Sequence, residues 1–286
     1  MDTIASKIIC YCILGFGLLS VKIIWLIYIF YQKDIVNIAN DLHILDNNIK
    51  KCKFYSPEKD YLMYLVFIGN FVICNGVFLF EFFLYFSITQ PLWAIPYVIS
   101  SWTLTQYTLF LDSILLRFRN LNNMILKLGN INTEFEFDSI HVPRVTVSES
   151  TIINAVQMIN YNHTSLCEIS RKVAEFYALP TLVAILYFVA TATYNLYYIL
   201  KPFVTNNKYE EFSIFVYIET SSTFLMTFFD FLALITNTIR ISREVKNIAL
   251  SVHLLLDRCK EYPRVRNTIA GTIVTYLLIL VQFRLI

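Results

Sequence analysis

Six stretches of this chain are apolar over about the length needed to cross a lipid bilayer, and that feature excludes most ways of folding it. A helix rises 1.5 Å per residue, so roughly 20 apolar residues span the hydrocarbon layer. The stretches are Ile8–Tyr31 (interrupted by Lys22), Tyr61–Phe86, Leu92–Leu116, Val173–Leu200, Phe212–Ile239 and Thr268–Ile286. One soluble core cannot hide them all. Of the 286 residues 57% are hydrophobic and only 15% charged, where soluble domains carry about a quarter charged residues. The excess apolar surface must face lipid. The sequence therefore predicts an all-α integral membrane protein, one domain over residues 1–286, with about six transmembrane helices. The first stretch is too long for a signal-peptide core and lacks a small-residue cleavage site, so it reads as a spanning helix.

The connections set the orientation. Three are long and basic, at residues 33–60, 117–172 and 240–267. Together they hold eighteen of the 23 Lys and Arg residues. With six spans all three fall on one side, which the positive-inside rule makes cytoplasmic. Both termini are then extracellular. These connections also carry helical patterns. Ile35, Ile38, Leu42 and Leu45 recur at helical spacing. The runs after the third and fifth spans continue as amphipathic helices, predicting cytoplasmic helical extensions that pack together.

Enzyme chemistry finds no foothold. The sequence contains no HExxH, GxSxG, CxxC or Gly-rich phosphate loop. The six cysteines form no paired cluster. No catalytic residue, metal site or cofactor is expected. The net charge of +2 gives no reason to expect nucleic acid as a partner; the bilayer is the partner that composition implies. Asn162-His163-Thr164 is a glycosylation sequon that this topology leaves in the cytoplasm, unused.

Polar residues inside the spans are the candidate functional groups, because they are costly there. In the last span Thr268, Thr272, Thr275 and Gln282 share one helix face with Ile279 between them. A polar stripe of that kind suits a water-filled lumen, with Phe283 able to close it by dewetting. Helix packing through small polar residues and Gly271 is the competing reading. Glu81, Trp102, Gln106, Tyr194, Tyr217 and Glu219 fall in the outer halves of their spans. Aromatic walls with a few polar groups suit a small organic ligand; an interfacial aromatic belt is the alternative. Asp112 and Asp230 are expected near helix ends or beside basic neighbours.

One motif is more specific. Thr275 and Tyr276 are followed by five apolar residues and then by Gln282 and Phe283, all within the final apolar segment. This resembles the C-terminal signature of insect gustatory receptors. The runs 104–125, 164–198 and 233–257 are similar to the fourth, fifth and sixth helices of that family, so the resemblance covers nearly the whole chain. It implies a tetramer, homo- or heteromeric, in the plasma membrane. It also implies a non-selective cation channel opened by a small-molecule tastant and lined by its last helix. Thr275, Tyr276, Ile279, Gln282 and Phe283 would form the pore and gate. The family has seven helices, and the first span here aligns with the second of them. The family's longer stretch before the signature helix, which helps build the cytoplasmic anchor where four subunits meet, is shortened here to Asp257–Asn267. The chain is thus expected to be a shortened member. Two other readings stay open: a multi-pass transporter, and a truncated receptor that does not conduct.

Overall fold

The computed structural model describes residues 4–52, 89–128, 149–205 and 214–258, with the isolated helical positions Ile68, Gly69, Val72, Gly76, Leu79, Arg264, Asn267, Ile269 and Gly271. Among the described residues everything regular is α-helix and no strand occurs. The chain is an all-α membrane protein. Its helices are α1 (Ile4–Phe30), α2 (Gln32–Lys50), α3 (Thr89–Leu128), α4 (Glu149–Thr205) and α5 (Ile214–Arg258). Helices of 40, 57 and 45 residues exceed what a bilayer needs, since about 20 suffice.

Three segments of the described helices are long and apolar enough to cross a membrane: Ile8–Phe30, Ile152–Tyr197 and Thr223–Asp257. Half of the α4 segment is buried, against 22% for α1 and 18% for α5. Leu19, Leu26 and Phe30 on α1, and Leu225, Phe229 and Leu232 on α5, are therefore exposed apolar side chains in numbers that only lipid or another apolar face accommodates. The expected third span, Leu92–Leu116, is not among the three. Its middle carries Ser100, Ser101, Thr103, Thr108 and Asp112, all buried. This part of α3 buries its polar side chains: Ser101 bonds Asp230 of α5, and Thr103 bonds the Ile99 carbonyl of its own helix, in place of water. A hydropathy count cannot see that. Most of Tyr61–Phe86 and of Thr268–Ile286 lies outside the described residues. Of the former, Ile68, Val72, Gly76 and Leu79 are helical and exposed, on one helix face.

The chain divides into two compact units. One gathers Met1–Ile35, Tyr61–Phe110 and Val173–Asn237; the other gathers Val36–Asp60, Leu111–Lys172 and Thr238–Ile286.

In the first unit α3 and α4 run antiparallel. Tyr97 meets Phe188 edge-on at 5.5 Å, and Tyr107 stacks on Tyr177 at 5.0 Å and 18°. Helix α1 approaches closely at Gly17, where a Cβ atom would stand 2.7 Å from Tyr187 and 2.9 Å from Pro96. Small residues serve this role between membrane helices, because backbones then come close enough for dispersion contacts to accumulate.

In the second unit α2 buries Ile38, Leu42, Leu45 and Ile49, the stripe that its period promises; Ile35 is half-buried. Ile114, Leu115, Phe118, Leu121, Met124 and Ile125 of α3 are buried to within 1% of full enclosure. Ion pairs fasten the helices. Arg117 donates Nε to Oδ1 of Asp46 at 2.8 Å and its terminal nitrogen to Oδ2 at 2.6 Å. Its other terminal nitrogen bonds the carbonyl and hydroxyl of Ser113. The fork geometry suits guanidinium and not ammonium. Arg117→Lys should therefore lower the stability of the chain in detergent by about 1–2 kcal/mol, read as a drop in the thermal midpoint of a monodisperse size-exclusion peak. An unchanged midpoint would mean that the fork contributes nothing.

Candidate functional site

The first unit holds a cluster of aromatic rings with one amide at its edge. Tyr28 of α1 donates its hydroxyl to Oε1 of Gln106 on α3 at 2.6 Å. The same ring meets Phe176 of α4 edge-on at 5.4 Å. Phe176 meets Tyr177 at 4.9 Å, and Phe110 lies 5.8 Å from Tyr177. Tyr177, only 1% exposed, is the hub of the cluster. Three helices thus supply rings to one place. Gln106 sits there because it follows Thr103 by three residues and precedes Phe110 by four, on the inward part of α3.

Above this cluster the facing stripes of α3 and α4 carry two buried hydroxyls, Ser100 Oγ and Thr181 Oγ1, with no hydrogen-bond partner. They fall between the Tyr97–Phe188 and Tyr107–Tyr177 contacts along both helices. An unpaired buried hydroxyl costs about 1–3 kcal/mol. A small molecule or a water offering a polar atom would recover that cost.

Of the sequence-expected pocket residues, Gln106 is placed in the cluster with Tyr28. Trp102 on α3 and Tyr194 on α4 are half-buried. Tyr217 and Glu219 belong to α5, and their side chains lie outside the described set. Glu81 lies outside the described residues, as do the gate residues Thr275, Tyr276, Ile279, Gln282 and Phe283. Tyr28, Tyr107 and Tyr177 were not singled out by sequence, since a lone tyrosine in an apolar run reads as packing.

Further polar groups join α3 to α5. Tyr97 donates its hydroxyl to the carbonyl of Thr223 at 3.1 Å, and Thr223 Oγ1 accepts from the amide of Asn195 on α4 at 3.1 Å. Ser101 donates to Oδ2 of Asp230 at 2.6 Å, and Asn237 donates to the carbonyl of Thr108 at 3.3 Å. Asp112 and Asp230 are each 8% exposed and lie well inside α3 and α5. Of the two positions expected for them, helix ends are excluded. The Asp230 carboxylate is tolerated inside α5 because the Ser101 hydroxyl stands in for water at Oδ2.

The second unit has a half-open groove of about 170 Å³ between α2 and α4, edged by Asp41, Glu168 and Lys172 over Leu45 and Ile169. Lys172 fills it electrostatically, 3.0 Å from Asp41 and 3.4 Å from Glu168. Cys167 lies 3.7 Å from Nδ1 of His163. Among the described residues no group of three or more His, Cys, Asp or Glu stands together to hold a metal ion. Asn162 is completely buried, so the sequon cannot receive a glycan in the folded chain whichever side it faces. Glycosidase treatment of the expressed protein should leave its mobility unchanged; a shift that Asn162→Gln abolishes would contradict this burial.

Compared with known proteins, a family model described as 7tm Chemosensory receptor matches residues 2–269. No curated protein matches the chain.

Proposed function

The chain belongs to the 7tm chemosensory receptor family, and from that premise we propose that it is a gustatory receptor, a subunit of a tastant-gated, non-selective cation channel in the plasma membrane. The observation that carries the reading is the family match over residues 2–269 together with the Thr275-Tyr276 to Gln282-Phe283 motif that follows directly at the C-terminal side. The reading makes the chain a receptor and not an enzyme.

In this reading the last helix lines the pore, with Thr275, Tyr276 and Ile279 along it and Gln282 and Phe283 at the gate. Four subunits, the same or different, surround the path. The long basic connections face the cytoplasm. The antiparallel run of α3 and α4 supports alternate crossing. The tastant is a small organic molecule held between aromatic walls. The ring cluster around Tyr177 and the unpartnered hydroxyls of Ser100 and Thr181 support that chemistry, with Trp102, Gln106, Tyr194, Tyr217, Glu81 and Glu219 as the wider candidate lining.

The gate assignment is tested by co-expressing the chain with receptor subunits of its family and recording tastant-evoked current. Gln282→Ala and Phe283→Ala should change ion selectivity or raise the resting current, because the side chains that narrow and dewet the path are removed. Currents identical to those of the unaltered chain would remove Gln282 and Phe283 from the gate.

A further inference from the structure

Four buried or half-buried polar side chains of α5 stand seven residues apart: Asp230, Asn237, Glu244 and Ser251. Between them, alternating in steps of four and three, come Leu234, Ile241, Ile248 and Leu255. Steps of three and four are the seam of a helix that winds along one partner, with apolar and inward polar layers in turn.

The partner is α3, and the matching is in register. Ser101 bonds Asp230 at 2.6 Å, the main-chain carbonyl of Thr108 accepts from the Asn237 amide at 3.3 Å, and Asn122 accepts from the hydroxyl of Ser251 at 2.6 Å. Each pair has the same sequence offset of 129 residues, so α3 and α5 are parallel where they meet. The fourth layer keeps the rule in modified form. Leu115 takes the position opposite Glu244, and Glu244 pairs instead with Arg119, one turn further along, at 3.4 Å. The apolar layers of α3 repeat with the same period: Leu104, Leu111, Phe118 and Ile125 are all buried.

We propose that this seam is a register lock: its polar layers hold α3 and α5 in one axial alignment. A slip of one turn along the seam would set Asp230 and Asn237 against Leu104 and Leu111, or against Tyr97 and Leu104, leaving buried polar atoms without partners in surroundings that offer no water. A slip of a whole heptad, about 10 Å along the helices, would not restore the match, since it sets Asn237 against Leu115 in one direction and Asp230 against Ala94 in the other. Apolar surfaces alone would not prevent sliding, because a membrane helix gains little from one apolar contact over another. A buried polar residue at a seam position is known to fix register in paired helices at some expense of stability. Here four layers carry one. The lock does not depend on the channel reading and holds for any job the chain performs.

Disulfide trapping in membranes tests it with the full-length chain, its native cysteines replaced. The reporter pair Asn122→Cys with Ser251→Cys should cross-link at least about tenfold faster than Asn122→Cys with Asn247→Cys or Leu255→Cys, one turn away on either side, as a register preference of roughly 1.4 kcal/mol or more dictates. Adding Asp230→Leu and Asn237→Leu should reduce that preference several-fold. The exchange Ser101→Asp with Asp230→Ser, which keeps a hydroxyl opposite a carboxylate, should retain it. Asn237→Leu alone serves where the double variant does not fold, and should lower the preference by a smaller factor. The proposal is overturned if the otherwise intact chain shows no preference, if the leucine variants that fold keep it in full, or if the exchange loses it.

Discussion

Replacing Tyr177 by alanine is expected to destabilise the protein by about 3–5 kcal/mol, the range for deleting a buried ring whose surroundings cannot collapse into the space. The surroundings here are rings of limited freedom. Tyr107 stacks on Tyr177 at 5.0 Å, Phe176 meets its edge at 4.9 Å and Phe110 lies at 5.8 Å. These side chains come from α3 and α4, and Phe176 in turn holds Tyr28 of α1 at 5.4 Å. Deleting the hub leaves three helices facing a void. The thermal midpoint of the detergent-solubilised chain should fall steeply for Tyr177→Ala and only slightly for Tyr177→Phe, which keeps the ring. Equal losses for both would place the contribution in the hydroxyl and not in the packing.

Gly17→Val should be the next most damaging change in the first unit, at about 1–3 kcal/mol. A Cβ atom at this position meets Tyr187 at 2.7 Å and Pro96 at 2.9 Å. The tyrosine edge can swing away, but the proline ring is fixed to the α3 backbone and cannot. Helix α1 must then tilt or withdraw, which loosens the Tyr28–Gln106 bond at 2.6 Å along the same helix. Gly15→Val is the control, since nothing lies within 4 Å of a Cβ atom there. A glycine inside a helix otherwise costs propensity, so both substitutions gain a little from the backbone. Only Gly17 should show a net loss in the thermal midpoint. Equal behaviour of the two valine variants would contradict the close approach of α1.

The fold class was legible because apolar length is a property of the sequence that no tertiary context can reverse. The α2 stripe was legible for a similar reason: Ile38, Leu42 and Leu45 recur at helical spacing, and the structure buries them. What escaped was pairing. The middle of α3 looks like a mediocre span because Ser101, Thr108 and Asp112 depress its hydropathy. The structure buries these residues; Ser101 bonds Asp230 of α5, and the main-chain carbonyl of Thr108 accepts from Asn237 of α5. The seven-residue spacing of Asp230, Asn237, Glu244 and Ser251 was present in the sequence. It is hidden there because it crosses from the expected span Phe212–Ile239 into the expected cytoplasmic segment 240–267, so neither stretch alone displays the period. In the aromatic cluster, Gln106 stands out in the sequence by its polarity inside an apolar run. Tyr28, Tyr107 and Tyr177 do not, since among 19 tyrosines only tertiary contacts single out three.

The most direct test of the receptor reading is electrical. Cells expressing the chain with subunits of its family are held under voltage clamp while tastants are applied. The reading predicts an evoked current that reverses between the sodium and potassium equilibrium potentials and disappears when this chain is omitted. Accumulation of labelled substrate in such cells without any evoked current would contradict it and point to a transporter.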